Sequence, residues 1–135
     1  MMLYVVAIVA HVLVAVLAIG LVGAIPLTAR LARLSSGKVV GSERVLAALL
    51  RATQIGFVAM LLTGVLLDLS AAGAFHRAAW FKAAIAVLVL TGFAHARARA
   101  ALRKEDALAL VERWGWAMCA LVALITILMQ MKPFS

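Results

Sequence analysis

The chain is short of most of what a water-soluble protein places on its surface. Only 13% of its 135 residues are charged, and five are acidic. A soluble domain carries about 25% charged and about 45–50% apolar residues. Here 67% are hydrophobic and the mean hydropathy is +1.17. A monomer of this size cannot bury so much apolar surface, because small domains leave a large share of their surface exposed. The excess must meet lipid, which excludes a soluble enzyme and a disordered tail. One cysteine, Cys119, excludes an internal disulfide and hence a disulfide scaffold. There is no paired-carboxylate site, no Cys/His cluster with zinc or copper spacing, no Ser/His/Asp arrangement and no Gly-rich phosphate loop.

What remains is long apolar runs. A helix crossing a bilayer needs about 20 mostly apolar residues. Four stretches qualify, over about 3–29, 52–69, 78–96 and 114–131. They predict one all-α domain over 1–135, a four-helix transmembrane bundle of up-down order. The first stretch lacks the basic start of a cleavable signal peptide and is too long for one. Ser42 is placed to cap helix two, with Glu43 in its first turn. Arg103 and Lys104 suit the end of helix three, and Glu105 and Asp106 the start of helix four. Helices two and four are therefore expected to extend into the cytoplasm. Pro26 is placed to kink helix one. Ala15, Ala18, Gly23, Gly56, Gly64, Gly92 and Ala96 are small enough for close helix contacts. Trp80, Trp114 and Trp116 suit the membrane interfaces.

The net charge of +8 points to topology rather than nucleic acid, because the basic residues flank the apolar runs. Arg30, Arg33, Lys38, Arg44 and Arg51 fall in the first connection, and Arg97, Arg99, Arg103, Lys104 and Arg113 in the third. The positive-inside rule places both connections in the cytoplasm and both termini outside. A bacterial-type inner (plasma) membrane is the expected setting. The arginines are expected to meet anionic headgroups.

Polar side chains within apolar runs are the candidate functional residues. His11 lies about 13 Å below the outer end of helix one. It has two readings: an axial ligand for haem iron, or a neutral imidazole hydrogen-bonded across a helix interface. Lys82, just inside helix three, could snorkel, bridge to Asp68, or hold a ligand carboxylate such as a porphyrin propionate. Met60 lies near His11 in depth and is either a sixth iron ligand or ordinary packing. His95 lies about 10 Å away from His11 in depth, which argues against a bis-His site. It is expected among Arg97, Arg99 and headgroups, and His76 in the outer loop. The threonines can bond back to their own helices and carry little weight.

The order of these features resembles a known group. His11 opens an apolar run to Gly20, and Ile25-Pro26-Leu27 leads to Arg30. Thr63-Gly64 precedes the end of helix two. Trp80-Phe81-Lys82 opens helix three, and Lys132-Pro133-Phe134 closes the chain. Over nearly the whole length this is similar to the small four-helix membrane proteins of the HemJ/CopD-like group, which includes HemJ-type protoporphyrinogen oxidases and the CopD membrane domain. The resemblance implies haem b, with His11 as its ligand and Lys82 as catalytic or carboxylate-binding residue. It implies an oxidoreductase passing electrons from a porphyrinogen to a quinone or a respiratory partner. Two segments differ from HemJ. Val14 to Ile19 is aliphatic where HemJ is aromatic, and Glu112-Arg113-Trp114-Gly115 replaces an Asn-Glu-x-Pro-type segment. The weak polar equipment also suits a different role, a non-catalytic small accessory subunit of a larger membrane complex or a homo-oligomer. No broken helix with midplane charge suggests a transporter.

Overall fold

A computed structural model describes residues 2–35 and 41–131. It contains four helices: α1 (Met2–Leu34), α2 (Ser42–Ser70), α3 (Ala79–Ala101) and α4 (Ala107–Met131). There is no strand among the described residues, so the fold is the expected all-α four-helix bundle. All four helices are long and apolar enough to cross a membrane. Helices satisfy their backbone internally, which an apolar solvent requires. Residues 36–40 and 132–135, including Lys38 and the Lys132-Pro133-Phe134 ending, lie outside the described residues.

The helices pack unevenly. α1 lies against α2 and α4, and α4 lies against α3, whereas α2 and α3 barely meet. The bundle is thus closed on three sides and parted by a cleft along the fourth. The main core gathers Ile25, Ala29, Leu46, Leu50, Val111 and Met118, all nearly inaccessible. These residues stand at the end of the bundle that carries the two basic connections, here called the basic end.

Several local expectations change. Ser42 does not cap α2: the N-cap is Gly41, in the left-handed region at φ 93°, with no side-chain cap. Its carbonyl accepts from Val45 N at 3.1 Å. A residue without Cβ adopts that conformation freely, so Ser42 moves into the helix. α3 runs on to Ala101 with Arg99 in its last turn. Arg103 and Lys104 lie just beyond, their amides bonded to Ala100 O and Ala101 O. α4 begins well before Trp114, as expected, with Glu105 and Asp106 just ahead of it.

Three glycines decide how closely helices approach. A Cβ on Gly56 would lie 3.2 Å from Ala18 Cβ, and one on Gly64 3.5 Å from His11 Cε1. A Cβ on Gly115 would lie 2.9 Å from Pro26 Cδ, so α4 rests directly on the proline ring. The helix continues through Pro26, which cannot donate to Val22 O. Cys119 Sγ stands 3.8 Å from that carbonyl and donates to it instead. A Cβ on Gly23 or Gly92 would meet nothing within 4 Å, and Ala96 is exposed, so neither glycine is kept small by a neighbouring helix. Trp80, in the first turn of α3, is buried edge-on to Phe75 and Phe81. Trp114 takes the Arg97 guanidinium on its face at 5.6 Å.

Candidate functional site

The polar groups were expected at membrane depth, and the bundle gives nearly all of them partners. His11 Nδ1 lies 2.9 Å from Thr63 Oγ1, across the α1–α2 interface. Thr63 Oγ1 also lies 2.9 Å from Ala59 O, one turn back on its own helix. The hydroxyl has one proton, which that carbonyl takes. Both contacts are satisfied together by the tautomer in which Nδ1 donates to Thr63 and Nε2 is the lone-pair nitrogen. Gly64 makes room for the ring. Thr63 is the residue that sequence reasoning undervalued. The signal was there: it lies about 10 Å from the end of α2, nearly level with His11 on α1.

His11 lines two cavities. One, of about 80 Å³, lies between α2 and α3 and is bounded by Met60, Gly64, Phe81, Ala84 and Met129. The other, of about 60 Å³, is bounded by Ala15, Phe57, Met60 and Ile125. Met60 thus joins His11 at both. An imidazole and a thioether are donors that suit haem iron. Space is the difficulty, because small-molecule pockets measure about 300–1,000 Å³. A macrocycle does not fit in either cavity beside His11 as the helices stand.

Lys82 is not part of this group. It is exposed and lines neither cavity. The expected bridge to Asp68 is absent. Asp68 Oδ1 accepts from the amides of Phe75 and His76, at 2.9 and 3.2 Å. Its Oδ2 faces His76 Nδ1 at 3.1 Å. The carboxylate therefore organises the turn between α2 and α3. The backbone supports that turn with positive φ at Ala72 and Gly73, and Gly73 N donates to Asp68 O at 2.8 Å.

His95 also departs from expectation. It is buried rather than set among headgroups, with Nε2 donating to Leu50 O at 2.8 Å and Phe57 edge-on to its ring. This is one of the few links between α2 and α3. Glu112 is buried and pairs with Arg33 at 2.8 Å, joining α4 to α1.

A cavity of about 690 Å³, far larger than the two beside His11, lies in the α2–α3 cleft at the basic end. Arg51, Gln54, His95, Arg99 and Arg103 border it beside an apolar wall. Comparison with protein-family models, curated proteins and solved structures finds no match to this chain.

Proposed function

We propose that the chain is a non-catalytic small subunit of a larger membrane assembly, set in a bacterial-type inner (plasma) membrane with the two basic connections on the cytoplasmic side. One observation carries this reading. The side chains able to do chemistry at depth are engaged in joining helices, His11 to Thr63 above all. His95 and Glu112 tie α3 to α2 and α4 to α1 in the same way. What the chain offers outward is packing surface. On α1, Leu13, Leu17, Leu27 and Leu31 are exposed at helical spacing, and Gly20 among them meets nothing within 4 Å. A small residue on such a stripe lets another helix approach closely. The test is the size of the particle extracted in mild detergent. Gly20→Leu should release a smaller species while leaving the helix content unchanged. An identical particle from both proteins would remove the support that α1 gives.

A second reading is kept because Nε2 of His11 holds a lone pair and Met60 lies on the same cavities. In it the protein is haem b-associated and HemJ/CopD-like, with His11 as ligand, a redox role, and a quinone as acceptor. The iron would supply the redox chemistry. His11 would fix it and Thr63 would orient the imidazole through the 2.9 Å contact. Lys82, exposed at the rim, would meet a propionate only outside the bundle. The α2–α3 cleft would have to widen. A Soret band lost on His11→Ala would favour this reading over the first.

A further inference from the structure

We propose that the α2–α3 cleft at the basic end is a binding site for one anionic phospholipid, with its phosphate held by Arg51, Arg99 and Arg103 and an acyl chain laid along the apolar wall. The cleft has about 690 Å³ and opens sideways, because α2 and α3 scarcely touch. Its wall is formed by Phe57, Val58, Leu61 and Gly92. Leu61 also borders the smaller cavity beside His11, so the apolar track continues toward the other half of the bundle. In a bilayer, an open gap between helices at this depth is filled by a hydrocarbon chain.

The charge argues for an anion. Three arginines line the cleft, and no acidic residue does. Among the described residues none of the three is in an ion pair. Arg99 Nη1 donates to Gln54 Oε1 at 2.6 Å. A neutral amide positions the guanidinium without cancelling its charge, and the remaining N–H donors stay free. Arg51 directly precedes the apolar span of α2, so it stands with Arg99 and Arg103 at the level where headgroups lie. The planar guanidinium fork matches a phosphate's oxygens. A soluble anion would satisfy the arginines and leave the apolar wall bare. A phospholipid satisfies both.

Native mass spectrometry tests the proposal, with dioleoyl phosphatidylglycerol, dioleoyl phosphatidylcholine or inorganic phosphate added to the detergent-solubilised protein. The expected result is one retained phosphatidylglycerol, much less phosphatidylcholine, and no displacement by phosphate. R51Q/R99Q/R103Q should retain it at least about tenfold less, since each basic residue near the surface counts for about fivefold. R30Q/R44Q/R113Q removes the same charge from exposed positions outside the cleft, where ions screen it from the bound phosphate, and should stay within about twofold of the parent. Gly92→Leu keeps every charge and fills the open wall. It should lower retention as the cleft triple does, and it carries the test if that triple fails to fold. Equal losses in the two triples, equal retention of the two lipids, competition by inorganic phosphate, or a lipid-free dimer would each overturn the proposal.

Discussion

Cys119 stands over the carbonyl of Val22 that Pro26 leaves without a backbone donor, with Sγ 3.8 Å from the oxygen. An unpaired carbonyl is costly where no water can reach it. A thiol is a weak donor, yet here it stands where the amide that Pro26 lacks would have donated. Cys119→Ala should destabilise the bundle by about 0.5–1 kcal/mol, the scale of one net hydrogen bond. Cys119→Ser should be milder, because its hydroxyl also donates. On a Pro26→Ala background the helix recovers its own bond, and Cys119→Ala should lose its effect. Thermal unfolding in detergent of the parent, the three single variants and the double variant measures this. An undiminished Cys119→Ala effect in the double variant would show that packing, not the carbonyl, is responsible.

Gly115 and Gly20 should respond oppositely to alanine. At Gly115 the added methyl meets Pro26 Cδ at 2.9 Å, and the proline ring cannot turn aside. Overpacking of this kind costs about 1–3 kcal/mol. At Gly20 there is nothing within 4 Å, and alanine favours a helix by up to about 1 kcal/mol. Gly115→Ala should therefore lower the midpoint of unfolding, while Gly20→Ala should leave it unchanged or raise it.

The Asp68 carboxylate should govern the turn between α2 and α3, and Lys82 should not. Asp68→Ala removes the acceptor of two loop amides and of the His76 ring. Amide exchange at Phe75 and His76 should accelerate, and limited proteolysis should cut the turn sooner. Lys82→Met should leave both unchanged. Equal protection in Asp68→Ala and the parent would refute this assignment.

His11 and Thr63 should be energetically coupled. Cross-helix hydrogen bonds in membrane bundles average about 0.6 kcal/mol and reach about 1.7. A double-mutant cycle of His11→Leu and Thr63→Val should return a coupling in that range, because either single change strands the other partner. A coupling of zero would mean that the 2.9 Å contact contributes nothing to the bundle.

How much was legible beforehand depended on the kind of information each feature carries. The four helices follow from apolar length alone, and the extended start of α4 from the charge pattern around Glu105 and Asp106. Depth along a helix was also readable, and it correctly separates His11 from His95. The rotational phase was not. In helices apolar on every side, no polar face shows which residues turn inward, so the burial of His95 and of Trp80 could not be read. Partner choice failed for a related reason. A bridge to Asp68 was one reading of Lys82 because Asp68 is the only acidic side chain on that side, whereas turn amides a few residues away are closer to the carboxylate and already oriented. The Val22–Cys119 contact joins residues far apart in sequence, and only the packing of α4 on Pro26 brings them together.

The His11 imidazole joins α1 to α2 through Thr63, and the proposed role as a non-catalytic subunit requires that it hold no cofactor. The visible absorption spectrum of the protein purified in mild detergent from haem-replete cells, beside that of His11→Ala, decides the point. Neither protein should show a Soret band, and His11→Ala should differ only by a lower unfolding midpoint. A Soret band in the parent that disappears in His11→Ala would overturn the proposal.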